Sequence, residues 1–186
     1  MDKTEELPKP ARIEIQGENG IILKQLVQED AQAYFELIEF DRAHLSQTHS
    51  GVRDGTADKY QTVEDVLDSI LHPKDPNKIR FGIWVNGVMV GSNNLTPSPE
   101  EPHKVESGSL VSKKYKGHHY AALARELLVE FALDQLGYTE VFSDIAVGNE
   151  ASRKSVEKSG FAYNGVIQKD DEEGIQRPYW QYVFRR

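Results

Sequence analysis

The sequence predicts a mixed α/β domain in which helices flank a mostly antiparallel central sheet. Apolar runs typical of strands alternate along the chain with segments that carry apolar residues at helical spacing. Asn-Gly pairs at 19–20 and 86–87 each separate two strand-like runs, and Asn-Gly favours the tight turn between antiparallel strands. The resulting order, ββ-αα-βββ-α-β-α-ββ, indicates a mixed sheet covered by helices.

The individual strands are predicted from apolar, β-branched and aromatic runs that lie between turn residues. The first two form a hairpin around Glu18-Asn19-Gly20, and Asn86-Gly87 closes a second hairpin. The expected strands cover 13–15, 21–26, 79–85, 88–95, 104–112, 139–147, 161–168 and 179–184.

The helices are predicted from apolar stripes and from their end signals. Thr62 is expected to be an N-cap, with His72-Pro73 as the stop of that helix. The clearest stripe includes Leu123 and Leu127, and Gly137 is expected to end it. The expected helices cover 28–40, 62–71, 121–136 and 149–159, and the polar stretch 41–60 shows little periodicity.

Length, charge and composition limit the possible functions. The 186 residues suit one domain, expected at 11–186 behind a flexible leader at 1–10 that carries two prolines. A net charge of −8 opposes a nucleic-acid partner and weakly favours an amine. No apolar run is long enough for a bilayer and no secretory signal is recognisable, so we expect no membrane partner. Without cysteine there is no thiolate zinc site, and cytoplasmic location is the simplest expectation.

An anion site is predicted where the strand ending near Val111 runs through a short loop into the longest helix. The first N–H groups of a helix lack intrahelical acceptors and lie at the positive end of its dipole. The two phosphate-loop patterns GxxxxGK[ST] and GxGxxG do not occur at this place.

The loop consists of Lys116, Gly117, His118, His119, Tyr120 and Ala121. Aligned in this order, it resembles the Q/R-x-x-G-x-G/A pyrophosphate loop of the GNAT acetyltransferases. Residues 149–161 resemble the second cofactor motif in the form N-x-x-S-x-x-x-x-E-K-x-G-F, typical of the ribosomal-protein N-terminal (Rim-type) branch. Residues 81–92 resemble the central hairpin of the family, and Arg42-Ala-His-Leu also fits that branch. The resemblance extends over about residues 12–184.

The resemblance implies acetyl-CoA as co-substrate, bound by the loop 116–121 and by Asn149. It also implies a splayed strand pair at which the backbone of Leu110 and Val111 pairs with the pantetheine arm. The loop departs from the family at two positions, since Lys116 replaces Gln or Arg and His119 replaces the middle glycine. Glycine there allows any φ, whereas histidine brings a Cβ and restricts it.

The resemblance also suggests roles in catalysis. The tyrosine that protonates the thiolate in many relatives corresponds to Val156, and the Rim-type branch implies Ser152 instead. Glu106 matches a carboxylate near the acceptor amine and is the candidate base, and His44 is a candidate acceptor contact. Ordinary structural roles remain open: Asn149 as N-cap, Ser152 as a residue of the first helical turn, and Glu106 facing solvent.

The two loop histidines have alternatives of their own. They either add donors toward phosphate or simply face solvent. A metal site is not expected, because adjacent histidines lack ligand spacing and no carboxylate partner is evident.

The predicted function is therefore acetyl transfer from acetyl-CoA to a primary amine, either a peptide N-terminus, an amino acid or another small amine. The alternative is a GNAT-fold module that binds acyl-CoA without turnover. Both a monomer and a homodimer remain open.

Overall fold

A computed structural model of the protein describes residues 12–45, 56–170 and 174–186. The expected leader at 1–10 lies outside the described residues. In the described part of the chain, eight strands form a single sheet with the order β1-β2-β3-β4-β5-β6-β8-β7. The strands are β1 (Glu14–Gln16), β2 (Ile21–Gln25), β3 (Ile79–Val85), β4 (Val88–Pro97), β5 (Lys104–Val111), β6 (Glu140–Ala146), β7 (Ala162–Asp170) and β8 (Gln176–Arg185).

The direction of pairing confirms the predicted fold class. Neighbouring strands are antiparallel throughout this sheet except for β5 and β6, which are parallel. The helices are α1 (Ala31–Leu45), α2 (Thr56–Lys59), α3 (Val63–Leu71), α4 (Tyr120–Glu130) and α5 (Glu150–Lys158). None of the helices in the described ranges is long and apolar enough to cross a membrane.

The sheet separates two hydrophobic cores. On one face, α1 and α3 pack against Met89, Trp84 and Leu110. On the other face, α4 and α5 cover a larger core that includes Phe81 and Leu128. Because successive side chains of a strand point to opposite faces, β3 contributes to both cores.

The turns and caps predicted from local sequence are present. Asn86 and Gly87 adopt φ of 50° and 78°, as the tight hairpin turn requires. The hydroxyl of Thr62 accepts a hydrogen bond of 3.2 Å from the N–H of Asp65, and the Asp65 carboxylate accepts one from the N–H of Thr62. These reciprocal bonds form a capping box at the start of α3.

Two helix boundaries differ from the prediction. The segment 28–30 is a 3₁₀ turn, and α1 then continues to Leu45, five residues beyond the expected end at Phe40. The extension is stabilised by tertiary contacts, because the Arg42 guanidinium donates to the carbonyls of Ala57 and Tyr60. The expected helix 121–136 is α-helical only to Glu130 and continues as a π-helical turn over Phe131–Gln135.

Candidate active site

The parallel strands β5 and β6 form a fork. They pair only from Lys104↔Glu140 to Glu106↔Phe142 and then separate. The hydroxyls of Ser107 and Ser143 lie 2.8 Å apart, and the Ser143 hydroxyl donates to the carbonyl of Ser107. This serine pair marks the closed end of the fork, which confirms the predicted splayed strand pair.

Beyond the serine pair, β5 keeps β4 on one side, while its other edge faces the fork. Leu110 and Val111 lie on this segment and pair with Ser92 and Gly91 of β4. A strand edge of this kind offers backbone N–H and C=O groups to an extended ligand that carries amides.

A cleft of about 980 Å³ opens at the fork between the N-terminal ends of α4 and α5. Every residue that the sequence suggested for the site lines this cleft, except His118. The side chain of His118 instead stacks on Tyr120, with ring centroids 5.3 Å apart and an interplanar angle of 12°. The suggested cofactor, catalytic and acceptor residues are therefore brought together around one space.

Two side-chain acceptors, one carboxylate and one hydroxyl, hold the loop before α4 in place. Asp41 Oδ2 accepts a hydrogen bond of 3.0 Å from the N–H of Lys113. The hydroxyl of Ser112 accepts one of 3.3 Å from the N–H of Lys114. These contacts fix a 3₁₀ turn over Lys113–Tyr115 and thereby the start of the phosphate loop.

The loop presents a group of unpaired backbone donors. The N–H groups of Lys116 and His118 donate to carbonyls within the loop. In contrast, no described residue accepts from the N–H groups of Gly117, His119, Tyr120 or Ala121. Unpaired N–H groups at the positive end of a helix dipole form an anion site.

His119 takes the backbone conformation that glycine normally provides. Its φ of 60° and ψ of 12° lie in the left-handed region. Histidine is one of the few residues enriched there, although this region costs L-residues about 1–2 kcal/mol. His119 thus adopts the left-handed conformation open to glycine, and it does so with a local strain.

The start of α5 combines a cap with the cleft wall. Asn149 Oδ1 accepts a hydrogen bond of 3.2 Å from the N–H of Ser152, so Asn149 is the N-cap. The cap uses only the backbone of Ser152, whose half-buried side chain lines the cleft. Val156 is 2% exposed and belongs to the core.

Glu106 forms an ion pair, which its sequence context did not indicate. Its carboxylate oxygens lie 3.0 and 3.2 Å from Nζ of Lys169, which also lies 3.1 Å from Asp144 Oδ2. Burial alone would lower the pKa of Lys169, but Glu106 and Asp144 together raise it above its ordinary value. Glu106 is thus neither free in solvent nor isolated, and its role as base stays a prediction.

Sequence reasoning missed Arg125, which also lines the cleft. The residue is 6% exposed, and its Nη1 donates to the hydroxyls of Ser155 and Ser159 at 3.0 and 3.3 Å. Burial lowers its pKa to about 10. One signal was available, because Arg125 is a charged residue between Leu123 and Leu127 on the helix with the clearest apolar stripe in the sequence.

The cleft suits a thioester of a nucleotide-containing carrier such as CoA. The free edge of β5 suits the amides of an extended arm, and the unpaired N–H groups of the loop suit phosphates. The lysines that line the mouth add positive charge to a chain that is acidic overall. They are Lys113, Lys116, Lys154 and Lys158.

The forked mixed sheet and the anion site at the start of α4 together are features expected of an acyl-CoA-dependent acyltransferase. The chain belongs to the acetyltransferase (GNAT) domain family, whose model matches residues 21–162. GNAT domains use acetyl-CoA as co-substrate, which confirms the co-substrate expected from the sequence.

Individual relatives agree with the resemblance to the Rim-type branch. YdaF, a proposed ribosomal N-acetyltransferase of Bacillus subtilis (strain 168), is 28% identical over 147 residues, which cover 78% of this chain and 79% of YdaF. The structure of RimL, a ribosomal L7/L12 alpha-N-protein acetyltransferase in complex with CoA, matches with a TM-score of 0.80 at 13% identity. That match covers 93% of this chain and 98% of RimL. RimJ of Mycobacterium smegmatis in complex with CoA-disulfide matches with a TM-score of 0.74 at 16% identity over 94% and 86% of the two chains.

Proposed function

We propose that this protein acetylates the N-terminal amine of a protein or peptide, with acetyl-CoA as donor. The observation that carries the proposal is the continuity of the cleft. It extends from the N–H groups of the phosphate loop to Glu106 and to Lys169, Asp170 and Tyr179 of the strands β7 and β8. A ligand bound along β5 would direct its thioester toward these side chains, and His44 on the last turn of α1 borders the same space.

The positions of the residues on the cleft wall support the role proposed for each of them. The backbone at Leu110 and Val111 holds the arm of the donor, and an N–H group there polarises the thioester carbonyl. Glu106 takes up the proton of the attacking amine, while the Ser152 hydroxyl donates a hydrogen bond to the leaving sulfur. Asn149 and the loop 116–121 orient the donor, so that its thioester is held in a fixed position for attack by the amine.

The choice of a peptide N-terminus rests on the names of relatives. RimL is described as an alpha-N-protein acetyltransferase, and YdaF as a proposed ribosomal N-acetyltransferase. We extend the proposal to a single acetyltransferase domain at 11–186 that acts in the cytoplasm, where ribosomal proteins are made.

The test has two stages. Isothermal titration calorimetry with acetyl-CoA first measures binding, and release of free thiol is then followed with a panel of N-terminal peptides, free amino acids and polyamines. We expect turnover with peptides to exceed that with the small amines. If only free amino acids or polyamines are acetylated, the proposal of a peptide acceptor is wrong, whereas the assignment of the protein as an acetyltransferase still holds.

A binding module without turnover is the second candidate. The ion pair between Glu106 and Lys169 favours it, because a carboxylate held by Lys169 is less free to contact an attacking amine. Micromolar binding of acetyl-CoA without thiol release from any acceptor of the panel would support this candidate over the enzyme.

A further inference from the structure

Arg125 is a buried cation to which the described residues offer no counter-charge. Its two partners, Ser155 and Ser159, are neutral hydroxyls, and no described carboxylate lies within ion-pair distance. Desolvation of an unpaired charge is costly, so such a group is retained where something compensates it. Because Arg125 lines the cleft, a ligand in the cleft is the available source of negative charge.

The position of Arg125 indicates which end of the ligand it meets. It lies four residues after Ala121, and thus on the same helical face about 6 Å further along α4 than the last N–H group of the phosphate loop. It is buried, whereas Lys113, Lys116 and Lys154, which also line the cleft, are exposed. The phosphates of a bound donor are therefore expected to lie among these exposed lysines, whereas Arg125 lies at the inner wall of the cleft.

The contact between Arg125 and α5 also indicates that Arg125 meets the sulfur end of the donor. Ser155 accepts from Arg125 and lies one helical turn after Ser152, on the same face of α5. Ser152 is the residue proposed to meet the sulfur. The tyrosine that many relatives use there is replaced by the core residue Val156, which has no proton to donate.

From this geometry we propose that Arg125 is the positive charge that stabilises the CoA thiolate as it leaves. The inference rests on the proposed function. The amine nitrogen forms the new C–N bond, the C–S bond breaks with its electron pair on sulfur, and the surplus proton of the amine passes to Glu106. Arg125 remains protonated throughout and balances the charge that develops on sulfur, inside a site where such an interaction is stronger than in water.

The first test compares CoA with desulfo-CoA, which keeps the phosphates and the arm but lacks the sulfur. At a pH where the bound thiol ionises, we expect the wild-type protein to prefer CoA by roughly tenfold, the equivalent of one pKa unit. The Arg125→Met variant should lose this preference, and Arg125→Lys should keep most of it. Equal loss of affinity for both ligands in Arg125→Met would instead assign Arg125 to the phosphates and overturn the inference.

The second test follows the thiol directly. The ultraviolet absorbance of the thiolate of bound CoA, titrated against pH, should show a pKa below that of free CoA in the wild type and in Arg125→Lys. In Arg125→Met it should return toward the free value. The kcat should fall roughly tenfold or more in Arg125→Met with little change in KM for acetyl-CoA. An unchanged thiol titration in a folded Arg125→Met variant would refute the proposal.

Thermal unfolding separates this role from a structural one. Methionine is shorter than arginine, but it keeps an unbranched apolar stem and removes the desolvation cost of the guanidinium, so the Tm of ligand-free Arg125→Met should be equal to or higher than that of the wild type. A large fall in Tm would show that the guanidinium serves the packing of α4 on α5 instead. If the wild-type protein does not bind CoA at all, the proposed function is refuted as well. If it binds CoA but the Arg125 variants leave the preference for CoA and the thiol titration unchanged, this inference alone is refuted.

Discussion

The carboxylate of Asp41 on α1 accepts a hydrogen bond of 3.0 Å from the backbone N–H of Lys113, 72 residues further along the chain. Asp41 is 4% exposed and lines the cleft. The bond thus connects the C-terminal part of α1 to the turn that begins the phosphate loop.

The Asp41→Ala variant is expected to bind acetyl-CoA about tenfold more weakly, since a hydrogen bond to a charged group contributes about 1.5–3 kcal/mol. The affinity is measured by calorimetry, and denaturant unfolding is measured in parallel. Glu36→Ala is the matched control, because Glu36 is an exposed carboxylate on the same helix that accepts a hydrogen bond from Gln32 and does not line the cleft. Asp41→Asn keeps an acceptor oxygen and should recover most of the affinity, and wild-type affinity in Asp41→Ala would show that the contact does not position the loop.

Local signals in the sequence predicted the fold well because each of them acts over a few residues. The Asn86-Gly87 turn, the Thr62 cap and the Asn149 cap depend on neighbours within one turn, and the structure contains all three. The end of α1 could not be predicted in this way, because contacts of Arg42 with residues 57 and 60 stabilise its last turn.

In the candidate site, too, local features could be predicted from the sequence and long-range contacts could not. The motifs predicted residues that line the cleft, with the exception of His118, because the loop and the cap are continuous segments. It did not indicate that Glu106 pairs with Lys169, since these residues lie 63 positions apart and meet only across the sheet. The burial of Arg125 likewise depends on how α5 packs on α4.

The His119→Gly variant tests the strain in the phosphate loop. Glycine adopts φ of about 60° without the penalty of about 1–2 kcal/mol, so we expect Tm to rise by about 2–4 °C per kcal/mol relieved. His119→Ala should lower Tm, because alanine lacks both the freedom of glycine and the tolerance of histidine for this region.

The affinity of these variants distinguishes the two interpretations of the histidine. Tighter binding of acetyl-CoA by His119→Gly means that the side chain only crowds the phosphates, and weaker binding means that it is one of their ligands. His118→Ala is the control, because His118 is its neighbour in sequence but does not line the cleft.

Glu106→Gln is expected to lower kcat by about 10²-fold or more if Glu106 is the base, a typical contribution of general base catalysis. The KM for acetyl-CoA should change little, because Glu106 is proposed to meet the acceptor amine and not the donor. Stopped assays over a range of pH, with thiol release as the signal, measure the effect. A kcat within twofold of the wild type at every pH would assign Glu106 to the ion pair alone.

The ion pair of Lys169 predicts a pH dependence of stability with a defined sign. Its pKa is raised in the folded protein, so its contribution is complete below the ordinary lysine value of 10.5 and is lost as pH rises through the folded value. Lys169→Met should therefore be less stable than the wild type at pH about 7, and the difference should shrink above pH about 10.5. Urea unfolding at both pH values measures it, and a difference that grows with pH would contradict the assignment.

Ser152→Ala separates the two roles suggested for the first turn of α5. The cap at Asn149 uses the N–H of residue 152, which alanine retains, so the free energy of unfolding should stay within about 0.5 kcal/mol of the wild type. Asn149→Ala removes the cap and should cost about 1 kcal/mol. If the Ser152 hydroxyl donates to the leaving sulfur, Ser152→Ala lowers kcat while acetyl-CoA affinity, measured by calorimetry, is retained.

Because Arg125 is proposed to stabilise the same sulfur, the effects of Ser152→Ala and Arg125→Met on kcat should be non-additive. Strict additivity in this double-mutant cycle would mean that the two side chains act at different atoms of the ligand.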